Sequence, residues 1–117
     1  MTPCELLICA EDAMVNSYSP YSGFSVGAAL ITADGRVYKG CNIENSAFSP
    51  TICAERTAFF KAISEGENDF EAIAIVGKYK NGEYKHLCYP CGVCRQVMKE
   101  FCGGDFKIIL GDGKGEY

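Results

Sequence analysis

The 117-residue sequence predicts an α/β fold, namely a three-layer α/β/α sandwich with a central mixed β-sheet. Helix and strand patterns alternate along the chain in the order α-β-β-α-β-α-β. A continuous apolar run at residues 72–76 lies between two helical patterns, which is typical of a buried central strand. No repeat, linker or low-complexity tract divides the chain, so we expect a single domain over residues 1–117.

The first half of the chain predicts one helix and a β-hairpin. Thr2, Pro3 and Glu5 form a helix start, because threonine can cap, proline suits the first helical position and the glutamate completes a capping box. Residues 24–31 are rich in β-branched and small side chains and predict a strand. Residues 37–40 predict its hairpin partner across a turn that contains Asp-Gly.

The second half predicts two more helices and two more strands. Residues 53–65 carry apolar side chains at helical spacing, and residues 72–76 follow as the central strand. A third helix is expected to begin near Cys91 and to end at Gly103, because apolar residues recur at i, i+3, i+4 and i+7 from Cys94. Residues 107–110 predict the last strand.

Composition and charge narrow the class of protein. The net charge of −4 and the absence of a basic stripe argue against a nucleic-acid partner. No run of 18 apolar residues predicts a membrane span, and the first residues lack the positive charge of a secretory signal, so a cytoplasmic location is expected. In a reducing compartment, eight cysteines favour metal binding or catalysis over disulfides.

Two cysteine motifs carry the chemistry. Cys91 and Cys94 form a Cys-x-x-Cys pair at a predicted helix start, where both sulfurs can face one metal ion. Cys53, at the start of another predicted helix, offers a third thiolate. Three protein ligands leave the fourth position of a tetrahedral zinc ion open for water, as in catalytic sites. By itself, the Cys-x-x-Cys pair could equally be a redox pair.

Two charged residues follow the first of these cysteines. Glu55 lies in the predicted first helical turn, where its carboxylate can reach a water molecule beside the metal and move a proton. Arg56 is expected to support the site by donating a hydrogen bond to a thiolate sulfur. Arg95 could do the same, but a surface position is nearly as plausible for it.

Four segments of the sequence together resemble the cytidine deaminase family, in its small homotetrameric form with a three-cysteine zinc site. The resemblance covers residues 5–110. The four segments occur in the same order as in the family: FSVGAAL (24–30), GCNIEN (40–45), CAERTA (53–58) and PCGVCRQV (90–97). Zinc deaminases in general combine a glutamate proton shuttle with a zinc ion held either by one histidine and two cysteines or by three cysteines.

The resemblance implies an enzyme, a hydrolase that acts on the C–N bond of a cyclic amidine. It would convert cytidine or deoxycytidine to uridine or deoxyuridine plus ammonia, within pyrimidine salvage. One Zn²⁺ per subunit would be bound by Cys53, Cys91 and Cys94, and Glu55 would transfer protons. The residues implied to contact the nucleoside are Phe24, Asn42, Glu44 and Ala54.

Alternative functions remain open at the level of sequence. A related deaminase could act on a blasticidin-type nucleoside antibiotic, or the zinc could be purely structural and hold helices together. The resemblance also implies a helix after the last strand, and this sequence, which ends at Tyr117, is expected to lack it. Residues 77–89 predict a longer loop than usual. Cys88, within that loop, could offer an alternative thiolate.

Overall fold

A computed structural model of the chain describes residues 1–85, 87–113 and 117. Within these residues, four strands form one sheet in the order β2-β1-β3-β4. Strand β1 is antiparallel to β2 and to β3, whereas β3 and β4 are parallel, so the sheet is mixed as predicted. The strands are β1 (Phe24–Thr32), β2 (Val37–Cys41), β3 (Phe70–Tyr79) and β4 (Lys107–Leu110).

The helices are α1 (Pro3–Ala13), α2 (Ala54–Ser64) and α3 (Gly92–Phe101). The capping box of α1 is formed as predicted, because the Thr2 hydroxyl accepts from the Glu5 N–H at 3.2 Å and the Glu5 carboxylate accepts from the Thr2 N–H at 2.9 Å. None of the helices in the described part of the chain has the length and apolar character that a membrane span requires.

Two hydrophobic cores lie on opposite faces of the sheet and make it the middle of three layers. Along β1 the side chains alternate between the faces, as the pleat of a strand requires. Ala28 and Leu30 pack against α2 and α3, whereas Ala29 and Ile31 pack against α1. Strand β3 pairs on both sides and is almost entirely buried. The predicted α/β/α sandwich with a buried central strand is therefore confirmed.

Most boundaries agree with the prediction to within one or two residues, and the larger differences lie in two places. The helical pattern at the N-terminus continues to Ser17, but α1 ends at Ala13 and a 3₁₀ turn follows over Met14–Asn16. Strand β3 extends beyond the apolar run on both sides, because its ends pair with the full length of β1. Residues 77–79, which were expected to begin a long loop, therefore belong to the sheet.

Gly40 allows α2 to lie directly on the edge of the sheet. A Cβ atom at this position would lie 2.4 Å from the carbonyl oxygen of Ala54 and 2.5 Å from the backbone nitrogen of Ala58. Real Cβ atoms do not come so close to backbone atoms, so any larger residue would move the first turns of α2. Strand β2 therefore sets the position of the residues at the start of this helix.

We expect Gly40→Ala to lower the free energy of unfolding by about 1–3 kcal/mol, the usual cost of overpacking. Urea unfolding followed by circular dichroism measures the change. Gly104→Ala is the matched control, because a Cβ atom there meets nothing within 4 Å. Equal stabilities of the two variants would show that α2 tolerates displacement from β2.

Candidate active site

Three cysteine sulfurs converge where α2 and α3 begin. Cys53 is the N-cap of α2, Cys91 is the N-cap of α3, and Cys94 lies in the first turn of α3. The Sγ atoms of Cys53 and Cys91 are 3.5 Å apart and those of Cys91 and Cys94 are 3.3 Å apart. A disulfide bond would be about 2.05 Å long, so these are three separate thiols.

The spacing of the sulfurs fits one zinc ion. Tetrahedral zinc with Zn–S bonds of about 2.3 Å places its sulfur ligands about 3.8 Å apart. All three Sγ atoms lie within 4.8 Å of one another, and among the described residues no fourth cysteine, histidine or carboxylate joins the group. His86, the single histidine of the sequence, lies outside the described residues.

Arg56 stabilises negative charge on the sulfurs. Its Nη2 donates to Cys53 Sγ at 3.4 Å, and its Nε is buried without a hydrogen-bond partner among the described residues. Hydrogen bonds from Cys94, Arg56 and Cys91 lower the pKa of Cys53 to about 5, so this thiol is ionised at neutral pH. Arg95, by contrast, donates from Nε to the Pro90 carbonyl at 3.1 Å.

Glu55 lies beside the three sulfurs and is removed from solvent. The residue is 4% exposed, and burial raises the pKa of its carboxyl group from the ordinary 4.5 to about 7. The charge of Cys53 raises this pKa further, whereas a hydrogen bond with Cys94 lowers it. Two residues two positions apart within a helix point in nearly opposite directions. Cys53 has extended backbone angles and precedes the helix, so this does not apply to Cys53 and Glu55.

Cys88 is close to the site but is not one of the three clustered sulfurs. Burial raises its pKa to about 11, and the charge of Glu55 raises it further, so the thiol stays protonated. The Phe24 ring lies next to it over Gly77, where an added Cβ would be 2.4 Å from the Phe24 ring and 2.9 Å from Cys88 Sγ. Phe24 is half-buried, and its ring centroid is 4.8 Å from that of Tyr79.

Asn42, the residue that follows β2, is buried, and its side chain forms hydrogen bonds with the backbone at the start of β1. Its Oδ1 accepts from the Val26 N–H at 3.0 Å and from the Ser17 hydroxyl. Its Nδ2 donates to the Phe24 carbonyl at 2.9 Å. An amide nitrogen carries two hydrogens, so within the described residues Asn42 keeps one N–H to donate.

Glu44 is bound to the turn that precedes β1. Its carboxylate accepts from the backbone N–H groups of Tyr21 and Ser22 at 3.0 and 3.1 Å, and from the Ser22 hydroxyl. The hydroxyl is the largest cause of a lowered pKa at Glu44, with the backbone donors adding to it. The carboxylate is therefore a negatively charged acceptor at neutral pH.

A short β-bridge connects the segment around Glu44 to the cysteine cluster. Ile43 and Ile52 exchange two backbone hydrogen bonds, at 3.0 and 2.9 Å. Each of them is next in sequence to a predicted site residue, Ile43 to Glu44 and Ile52 to Cys53. Ala54, which follows Cys53, is completely buried as the first residue of α2. All the predicted site residues thus lie on connected segments at one end of the sheet.

Sequence reasoning missed Ser17 and Ser22, the side chains that hold Asn42 and Glu44. The partners of these hydrogen bonds are 25 and 22 residues apart in the chain. Ser22, next to Gly23, indicates only a turn, and no local pattern at either serine reveals such distant partners.

Comparison with known proteins agrees with this geometry. A family model described as the cytidine and deoxycytidylate deaminase zinc-binding region matches residues 2–110. A cytidine deaminase from Sporosarcina psychrophila is 49% identical over 112 residues, which are 96% of this chain and 79% of that protein. Together, the family match and the sulfur cluster fit one zinc ion per chain.

Solved structures show the same fold. The crystal structure of cytidine deaminase from Burkholderia pseudomallei superposes with a TM-score of 0.87 at 42% identity, over 99% of this chain and 89% of that one. A more distant relative is blasticidin-S deaminase from Bacillus cereus, 33% identical over 92 residues, which are 76% of this chain and 66% of that protein.

Burial of Glu55 predicts a pH-dependent stability of the metal-free protein. Between pH 4.5 and about 7 the unfolded state has lost the Glu55 proton while the folded state retains it. The folded state binds more protons in this window, so the free energy of unfolding falls as pH rises. The contribution of Glu55 is complete below pH 4.5 and is lost by about pH 7, a total of about 3 kcal/mol at about 1.4 kcal/mol per pH unit.

We therefore expect the free energy of unfolding of the metal-free protein to fall by about 3 kcal/mol relative to that of its Glu55→Gln variant as pH rises through this range. Urea unfolding in chelator and reductant measures it. Cys53 contributes an opposite slope, because its lowered pKa adds stability above pH 5. That slope is present in both proteins, and only the part that comes from the mutual effect of the Cys53 and Glu55 charges remains in the difference. Parallel pH profiles would contradict a buried, proton-retaining Glu55.

Proposed function

We propose that this chain, which belongs to the family of cytidine and deoxycytidylate deaminases, catalyses the hydrolytic deamination of cytidine or deoxycytidine to the corresponding uridine and ammonia. The observation that carries the proposal is the position of Glu55, a buried carboxyl group with a raised pKa beside three convergent thiols. A purely structural zinc site has no use for such a group.

The three sulfurs are proposed to hold the zinc ion. When bound there, zinc supplies the Lewis acidity that lowers the pKa of water toward about 7. Cys53 is already ionised at neutral pH, whereas a hydrogen bond to Cys53 and burial raise the pKa of Cys94. The N-termini of α2 and α3, together with Arg56, provide the positive charge that stabilises further thiolates.

Glu55 is proposed to transfer two protons. As a carboxylate it accepts a proton from water and delivers it to N3 of the cytosine ring while the water oxygen bonds to C4. It then takes a second proton from the hydroxyl group now on C4 and delivers it to the exocyclic amine. The C4–N bond breaks as the C4=O bond forms, and ammonia leaves. A pKa near the working pH suits both tasks, because the group must be able to accept and to donate.

The remaining predicted residues are proposed to bind the nucleoside. Phe24 packs against the pyrimidine, and the start of α2 at Ala54 borders it. Asn42 and Glu44 share one sugar hydroxyl, with the amide as donor and the carboxylate as acceptor. Support comes from the one N–H that Asn42 retains and from the ionised state of Glu44. A pair built to bond a hydroxyl disfavours ligands that lack it.

We further propose a cytoplasmic homotetramer that serves pyrimidine salvage. All eight cysteines are free thiols, as expected in a reducing compartment. Val15 is 84% exposed and Phe48 is 92% exposed, which indicates apolar surface that another subunit can cover. Light scattering coupled to gel filtration tests the assembly, and a mass near the 12.7 kDa of one chain would refute it.

We expect Glu55→Gln to keep zinc and the fold but to lower kcat by about 10²–10⁴, the usual contribution of general acid–base catalysis. Loss of cytidine ultraviolet absorbance measures the rate, and metal analysis measures zinc. Glu65→Gln is the matched control, because Glu65 is an exposed residue at the other end of the same helix.

Two results would overturn the proposed activity. A wild-type protein that holds zinc and leaves cytidine and deoxycytidine unchanged would show a structural metal. Faster turnover of blasticidin S than of either nucleoside would indicate the antibiotic as substrate.

Removal of zinc by a chelator is expected to abolish turnover, and added zinc to restore it.

A further inference from the structure

The hydrogen bonds that Glu44 makes within residues 1–85, 87–113 and 117 leave one acceptor position of its carboxylate unused. A carboxylate has about four lone-pair positions, two on each oxygen. Oε1 accepts from the Tyr21 and Ser22 N–H groups, at 3.0 and 3.1 Å. Oε2 accepts from the Ser22 hydroxyl. The open position is therefore on Oε2, the same atom that the hydroxyl contacts.

The Ser22 hydroxyl is itself held in place. Its Oγ accepts from the Phe24 N–H at 3.1 Å, so its single hydrogen is committed to Glu44. Gly23 has a φ of 67° and donates from its N–H to the Ser19 carbonyl at 3.0 Å, which closes the turn. Glycine adopts this left-handed conformation without steric cost. The turn thus presents its donors to Glu44 from a defined position.

The carboxylate is accessible to a ligand. Ser22 and Glu44 line one cavity of about 470 Å³. Asn42, two residues before Glu44, is buried and does not line this cavity. Within the described residues it retains one N–H donor and Glu44 Oε2 retains one acceptor position, and a hydroxyl group can both accept and donate. The Ser22 hydroxyl occupies one lone pair of Glu44 Oε2, so its position determines the direction in which the remaining lone pair can accept a hydrogen bond.

We propose that Ser22 is a positioning residue that orients the Glu44 carboxylate toward a sugar hydroxyl and thereby determines how strongly the site favours nucleosides that carry this hydroxyl. The proposal rests on the deaminase function above. Ser22 does not touch the reacting atoms, so its effect is on substrate recognition. It raises kcat/KM for a hydroxyl-bearing nucleoside without changing the rate for one that lacks the hydroxyl.

The test compares cytidine with 2′,3′-dideoxycytidine, which lacks both ring hydroxyls, as substrates of the zinc-loaded enzyme. We expect Ser22→Ala to raise KM for cytidine about tenfold, because a hydrogen bond to a charged group loses its alignment. Turnover of dideoxycytidine is expected to stay unchanged, so the preference for cytidine shrinks about tenfold. Ser22→Thr, which keeps the hydroxyl, is expected to restore the preference.

Ser19→Ala is the matched control, because Ser19 lies in the same turn and its hydroxyl is 3.2 Å from Ser25 rather than near Glu44. Equal losses on both nucleosides in Ser22→Ala, or an unchanged preference, would overturn the proposal. If Ser22→Ala does not fold, Ser22→Gly removes the same hydroxyl and is judged by the same ratio. Failure of the deaminase function is distinct, since the wild-type enzyme would then turn over neither nucleoside.

Discussion

Helices α2 and α3 begin side by side above one face of the sheet, and the chemistry of the chain depends on this arrangement. Cys53 and Cys91 are both N-cap residues, so each sulfur belongs to the turn that starts a helix. The sheet fixes where the helices start, because α2 packs on β2 at Gly40 and both helices cover the same core. A change in helix packing therefore changes the distances between sulfurs.

Electrostatics explain why the same location suits both a metal and a buried acid. Three thiolates and a carboxylate would repel one another strongly in a medium of low dielectric constant. Partial positive charge at two helix N-termini and the guanidinium of Arg56 reduce this repulsion. The remaining repulsion and the burial of Glu55 keep its pKa near neutrality instead of near 4.5. The cysteine cluster and the Glu55 carboxyl group thus depend on the same charges.

Much of the fold could be predicted because its signals are local. The capping box of α1, the hairpin of β1 and β2, and the apolar run of β3 each lie within a few neighbouring residues, and the family membership is confirmed. The ends of β3 could not be predicted, since polar residues such as Lys78 enter the strand only through pairing with β1.

The site was predictable to a different degree. The cysteines carry a recognisable spacing, and the structure brings Cys53, Cys91 and Cys94 together. The roles of the individual residues, including Glu55, stay predictions. Ser17 and Ser22 gave no signal, because a serine in a turn has the same sequence pattern whether or not a distant carboxylate or amide binds it. Hydrogen bonds between residues so far apart in the chain are visible only in the folded structure.

The separation of the sulfurs along the chain has a consequence for metal supply. Cys53 and Cys91 are 38 residues apart, and the segment between them contains α2 and the central strand. An ion that binds only the folded arrangement stabilises it by mass action, and each tenfold increase in free metal above the dissociation constant adds about 1.4 kcal/mol. Scarcity of zinc would therefore lower the amount of folded protein as well as the fraction of it that carries zinc. The lifetime of the protein is thereby coupled to the zinc concentration in the cell.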